Sequence, residues 1–157
     1  MAQLRVGRTR MLDGSFTIKV DEKGRVKLPS EFRRQIQDRF GDGSFYVTSV
    51  KGDCALIYPA RAWDDVLQKL STQPPSRSPV RKFRRATSYY GQPANPDPQG
   101  RVLIHPRLRI AAGLEEDVVV VGQQNHLEVW NLKKFTDQLG ADPINADDED
   151  YLATLGI

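Results

Sequence analysis

The chain has 157 residues but only one cysteine and two histidines, and much conventional catalytic chemistry is missing with them. Cys54 has no partner for an internal disulfide, which fits a reducing compartment. His105 and His126 have no Cys or carboxylate at ligand spacing, so no metal site is expected. No glycine-rich phosphate loop occurs. Ser30 lacks a base–acid pair to activate it and is assigned as a helix N-cap, while His105 is assigned to packing at a strand end. The expectation is a protein that is not an enzyme, with no cofactor and no small-molecule substrate. No apolar run approaches the roughly 20 residues of a membrane span. The basic opening MAQLRVGRTRML has no apolar stretch behind it, which argues against a secretory signal. A cytoplasmic protein without a membrane partner is therefore expected.

Charge is plentiful, and it is unevenly placed. The formal net charge is +3, but residues 141–157 hold Asp142, Asp147, Asp148, Glu149 and Asp150 without a Lys or Arg. The rest of the chain sets 23 basic residues against 15 acidic ones. A basic body with an acidic tail points to a polyanionic partner, although charge alone does not separate that from an ordinary solvated surface.

The strongest signal is a repeated phrase. DEKGRVKLPSEFR (Asp21–Arg33) returns as DPQGRVLIHPRLR (Asp97–Arg109), 76 positions later. Asp21, Gly24, Arg25, Val26, Leu28, Phe32 and Arg33 match Asp97, Gly100, Arg101, Val102, Ile104, Leu108 and Arg109. Beyond it, SFYVTSVKGDCALIYPARAW answers EDVVVVGQQNHLEVWNLKKF, with Tyr58 on Trp130 and Trp63 on Phe135. Each half therefore reads as strand, turn, strand, short helix, hairpin and a longer helix. Phe16, Ile18 and Val20 alternate as in a half-buried strand, and Asp21 and Gly24 supply turn chemistry. Phe32, Ile36 and Phe40 then fall four apart before Gly41, which predicts a helix opened by Pro29-Ser30. The second copy runs from Pro106 to Gly113. The strand before the second phrase contains Pro93 and is expected at a sheet edge or as an irregular loop.

Segments 60–72 and 131–139 read as amphipathic helices, with a break at QPPSRSP and a basic helix VRKFRRATSYY behind it. The last seventeen residues are poorly periodic and are expected to be mobile apart from a turn at Tyr151–Leu155. Halves this short bury little apolar surface alone, so one pseudo-twofold unit is expected. The resulting division is a basic leader over 1–13, a first domain over 14–61, a helical linker over 62–89, a second domain over 90–133, and a C-terminal helix with acidic tail over 134–157.

The phrase D-x-x-G-R-V-x-[LI] followed by a short helix and an Arg, present twice, resembles the MraZ family of bacterial transcriptional regulators, built from two SpoVT–AbrB domains. The likeness spans roughly residues 14–140, including the hairpin endings Tyr58-Pro59 and Val129-Trp130. It implies a mixed α+β, mainly β fold: a pseudo-twofold swapped-hairpin β-barrel with short helices, made of two tandem half-domains. It also implies ring-shaped homo-oligomers that bind direct repeats of double-stranded DNA in the promoter of their own division and cell-wall operon. The family signature DxxxR falls on Asp21–Arg25 and Asp97–Arg101.

On that reading Arg25 and Lys27 project from one strand face, Lys19 lies on the facing strand of the hairpin and Lys23 sits at the turn, a cationic ridge suited to a groove or to phosphates. Arg101 has Leu103 beside it instead of a second base, so its ridge is thinner. Asp21 and Asp97 brace the arginines, with Gly24 and Gly100 supporting the turns. The alternative for each Asp–Arg pair is a turn lock that only stabilises the fold. Arg33 and Arg109 are expected in salt bridges between the halves. The cluster Arg77, Arg81, Lys82, Arg84, Arg85 and the arm Arg5, Arg8, Arg10 offer further anionic contacts, or a subunit contact and a plain leader. The competing function is an oligomeric protein-interaction scaffold without specific DNA readout, with the acidic tail as a docking strip. Exposed aromatics in place of outward cations would favour it.

Overall fold

A computed structural model of the chain describes residues 11–41 and 43–157. The first half contains β1 (Ser15–Lys19), β2 (Arg25–Lys27), α1 (Ser30–Phe40), β3 (Phe45–Thr48), β4 (Ala55–Pro59) and α2 (Ala60–Ser71). A basic helix α3 (Ser78–Tyr89) connects to the second half: β5 (Gln92–Ala94), β6 (Arg101–Leu103), α4 (Pro106–Ala112), β7 (Asp117–Gln123), β8 (His126–Asn131) and α5 (Leu132–Ala141). A last helix α6 (Ala146–Ala153) follows. The fold is mixed α+β, with eight strands and six helices among the described residues.

The strands pair between the halves. The large sheet runs β1-β7-β8-β4-β3-β5, an order that maps onto itself when the halves are exchanged. Each half's first strand pairs with the other half's hairpin, β1 with β7 and β5 with β3. At the centre β4 pairs with β8, with Leu56 opposite its counterpart Glu128. A second, two-stranded sheet joins β2 to β6, with Val26 opposite its counterpart Val102. These registers place a local twofold axis through both sheets.

The closed barrel expected from the sequence is not formed: the large sheet stays open at β1 and β5. Chain direction gives the reason. β2 and β6 last three residues each and pair with one another, and the chain then leaves for the helices that start at Ser30 and Pro106, so neither strand extends the large sheet. Pro93 leaves β5 without an N–H at that position, so it remains an edge strand as expected. The predicted pairing of β1 with β2 as a hairpin is also corrected, since each forms its ladder with the other half.

One core holds the halves together. Val26, Leu28, Phe32 and Ile36 pack in the same cluster as Val102, Ile104, Leu108 and Ala112. Phe32 and its counterpart Leu108 are fully buried, each worth about 2–3 kcal/mol relative to an exposed side chain. Helix α1 ends on Gly41 and α4 on Gly113 in the left-handed region, as their sequences predict. Ser30, however, is the first residue of α1 and makes no capping bond; Pro29 holds the cap position. The C-terminal segment departs further from expectation. Asn145 accepts from the Asp148 N–H at 2.9 Å, and the Asp148 carboxylate accepts from the Asn145 N–H at 3.0 Å. This capping box starts α6, where the sequence reading allowed only a turn.

Candidate nucleic-acid interface

Each repeated phrase folds into the same locked turn. Asp21 Oδ1 accepts from the backbone N–H of Lys23 at 2.9 Å and of Arg25 at 2.8 Å, while Oδ2 accepts from Arg25 Nε at 2.7 Å. Asp97 repeats the pattern with Gln99 at 2.9 Å, Arg101 at 2.9 Å and Arg101 Nε at 2.6 Å. The N–H of Gly24 closes on the Asp21 carbonyl at 3.0 Å, and that of Gly100 on Asp97 at 2.8 Å. Both glycines have positive φ, 82° and 79°, where a side chain is strained. Burial works to raise the pKa of Asp21, but the Arg25 and Lys23 donors outweigh it and the carboxyl lies below its ordinary value. Asp97 is lowered too, chiefly by the Arg101 backbone N–H acting against burial.

The β2·β6 ladder makes one surface of the two turns. Val26 and Val102 point into the core, so Arg25, Lys27, Arg101 and Leu103 share the outer face. Lys27 is directly opposite Arg101, and Arg25 is opposite Leu103. Such opposite residues have Cβ atoms about 5 Å apart. Leu103 stands beside Arg101 on the outer face as expected, and Lys27 of the first half lies across the strands from Arg101. Arg25 Nη1 also lies 3.7 Å from Asp97 Oδ2, so the carboxylates of both turns reach the same plate. The Arg25 and Arg101 side chains are 26% and 31% exposed, held at the surface without being sealed inside. Lys23 and Lys27 are exposed.

Lys19 is placed elsewhere. Its ammonium bonds Asp117 at 2.8 Å across β1 and β7, which raises its pKa. It belongs to a cross-half ion pair on the large sheet and not to a hairpin facing Arg25.

Arg33 and Arg109 also depart from expectation. No ion pair between the halves involves either of them among the described residues; each lies on the other half's turn glycine. A Cβ built at Gly24 would overlap the Arg109 guanidinium, its Cζ only 2.5 Å away, and one at Gly100 would stand 2.5 Å from Arg33 Cζ. Arg109 Nη1 also donates to the Ile104 carbonyl at 2.9 Å, and the Ile104 N–H donates to the Gly24 carbonyl at 3.0 Å. Turn composition revealed the glycines' backbone role; only the pairing of β2 with β6 reveals the close approach.

The remaining candidates are peripheral. On α3, Lys82, Arg84 and Arg85 are exposed, while Arg81 donates to the Ser76 carbonyl at 2.8 Å and Arg77 precedes the helix. Arg5, Arg8 and Arg10 lie outside the described residues. His105 caps α4, its Nδ1 accepting from the Arg107 N–H at 3.2 Å. His126 is stacked on Tyr58 with ring centres 4.3 Å apart, and burial lowers its pKa. Cys54 is buried in the cluster of Leu56, Val119 and Trp130, and burial drives its thiol pKa far upward, away from thiolate chemistry. No helix among the described residues is long and apolar enough to cross a membrane.

Comparison with known proteins places this geometry in a family. A family model described as "MraZ protein, putative antitoxin-like" matches residues 11–86 and 92–153. A curated relative from Acidobacterium capsulatum, named Transcriptional regulator MraZ, is 42% identical over 147 residues, covering 94% of this chain and 100% of the relative. One of the same name from Koribacter versatilis is 37% identical over 147 residues, with 94% and 100% covered. Another from Pediococcus pentosaceus is 34% identical over 138 residues, with 88% and 93% covered.

Proposed function

The chain belongs to the MraZ family, and from that premise we propose that it is a sequence-specific DNA-binding transcriptional regulator, a repressor of its own division and cell-wall operon. The supporting observation is the outer face of β2·β6, where Arg25, Lys27 and Arg101 gather from both halves. A two-stranded antiparallel ribbon has the dimensions to enter the major groove. There an arginine fork meets guanine O6 and N7 together. Asp21 and Asp97 occupy the Nε edges of Arg25 and Arg101, so the side chains are oriented before DNA arrives and lose less rotamer entropy on binding. Lys23 and Lys27 supply phosphate contacts from the exposed turn and strand. Lys19, paired with Asp117, contributes at the margin.

The exchange of first strands between the halves is read as the swapped-hairpin organisation of SpoVT–AbrB domains, in an open form. One plate makes few phosphate contacts. A ring-shaped homo-oligomer presenting several plates to tandem promoter repeats gains affinity by effective concentration. The protein acts in the cytoplasm at the nucleoid, as a regulator and not an enzyme, without a cofactor, a small-molecule substrate or a membrane partner. Fluorescence anisotropy on the promoter of its own operon, across a salt series, tests the reading. Log affinity is expected to fall steeply with log salt and to exceed that for scrambled DNA; equal affinity for both sequences would overturn it.

A second reading, an oligomeric protein-interaction scaffold, draws on a different surface. Leu139, Ile144, Tyr151, Leu155 and Ile157 are exposed apolar residues near the acidic C-terminal helix. Capture of protein partners by a variant that has lost all DNA affinity would favour it.

A further inference from the structure

We infer that Arg33 and Arg109 are crosswise positioning residues: each holds in shape the recognition turn of the opposite half. This rests on the DNA-binding reading and adds to it a coupling between the two halves. Arg33, in the first turn of α1, lies over Gly100, immediately before Arg101; Arg109, in α4, lies over Gly24, immediately before Arg25.

The contacts form a closed circuit on the Gly24 side. The Gly24 carbonyl accepts from the Ile104 N–H, the Ile104 carbonyl accepts from Arg109 Nη1, and the Arg109 guanidinium returns to the face of Gly24. On the other side the Gly100 carbonyl accepts from the Leu28 N–H at 3.0 Å, and the Arg33 guanidinium covers the glycine. A planar guanidinium lying against a side-chain-free backbone excludes water from the turn and limits rotation of the peptide that carries the next arginine. The glycine thus has two roles. It adopts the positive φ, and it admits the other half's arginine, which any Cβ would displace. Asp21 and Asp97 steady the arginines from within each half, whereas Arg109 and Arg33 steady them from across the axis. The geometry couples readout by one half to the integrity of a helix in the other.

The test uses the full chain with Arg33→Lys and Arg109→Lys, which keep charge but lose the plane. In amide hydrogen exchange the reporters are Gly24 and Arg25 in one turn and Gly100 and Arg101 in the other, all hydrogen-bonded to their aspartates. Arg33→Lys is expected to speed exchange at Gly100 and Arg101 by roughly tenfold while sparing Gly24 and Arg25, and Arg109→Lys the reverse. Equal acceleration in both turns, acceleration in the variant's own half, or no change would overturn the inference. This arm needs no DNA, so failure of the DNA-binding reading leaves it decisive. The second arm is a double-mutant cycle on promoter affinity. Arg33→Lys should cost roughly fivefold alone and under twofold beside Arg101→Ala, yet keep its full cost beside Arg25→Ala; Arg109→Lys should couple to Arg25→Ala instead. Full additivity in all four pairs would reject the coupling.

Discussion

Around Asp21 the first turn carries Glu22 and Lys23; around Asp97 the second carries Pro98 and Gln99. The same three side-chain hydrogen bonds nevertheless close both turns, and both glycines hold nearly the same φ. The lock thus depends on the aspartate, the glycine and the arginine, and tolerates a lysine or a neutral glutamine between them. On the following strands the repeat has Lys27 in the first copy where the second copy has Leu103. Skeleton and charge are therefore separable: the turn is a requirement of the fold, while the cations around it are unevenly distributed and give the plate a direction. DNA contact by such a plate is expected to lean on the first half.

Substituting the skeleton should produce the largest effect and, if the turns are equivalent, the same one in both halves. Gly24→Ala and Gly100→Ala each add a Cβ at positive φ and push it into an arginine. The combined strain and overpacking predict a loss of about 2–4 kcal/mol for either variant, read from urea denaturation midpoints. A loss confined to one half would break the equivalence.

Changing the arginines should separate the halves. Arg25→Ala is expected to lower promoter affinity by about 1–3 kcal/mol and to abolish sequence preference, with oligomeric state by size exclusion unchanged and a stability loss of only about 1 kcal/mol, because the backbone N–H groups of Lys23 and Arg25 still hold Asp21. Arg101→Ala should cost less, because Lys27 remains opposite the site. If Arg25→Ala instead dissolves the oligomer, the Asp–Arg pair is only a turn lock.

Several of these features were visible in the residues and others were not. The element order, the helix ends at Gly41 and Gly113 and the edge position of the Pro93 strand follow from local rules, because positive φ and a missing N–H act within a few residues. Partnership between strands is not local. The sequence pairs Lys19 with the Arg25 strand because the two are adjacent in the chain, whereas Val26 meets Val102 because the halves share one core. Lys27 beside Arg101, and Arg33 over Gly100, depend on that distant pairing. Helix α6 is locally encoded too, but its start rests on an Asn–Asp capping box without an apolar stripe, so no hydrophobic period marks it in the sequence.

The carboxylates provide a smaller test that should treat the halves alike. Asp21 and Asp97 are both held below the ordinary aspartate value of about 3.9, so the folded state binds their protons less readily than the unfolded chain. Their contribution is present above that value and is lost as pH falls through the lower folded pKa values. In acid titrations followed by circular dichroism, Asp21→Asn and Asp97→Asn should each start less stable at neutral pH and fall less steeply below about pH 4. An unchanged acid limb in one variant would show that only the other turn's lock matters for stability.

The smallest effect should come from Lys23, and it sharpens the comparison because the position is exposed and outside the lock. Its backbone N–H bonds Asp21 whatever the side chain, as Gln99 shows in the second turn. Lys23→Gln should therefore leave the fold intact and weaken binding to all DNA sequences by a similar factor. The slope of log affinity against log salt should become shallower by about 1 for each phosphate contact removed. The reciprocal graft, Gln99→Lys, gives the second turn the first turn's charge and should steepen the slope by about the same amount if that turn also faces the backbone. A graft with no effect, beside a Lys23→Gln variant that behaves as expected, would mean that the two halves meet DNA in different poses, with Arg101 near the bases and its turn lifted from the phosphates.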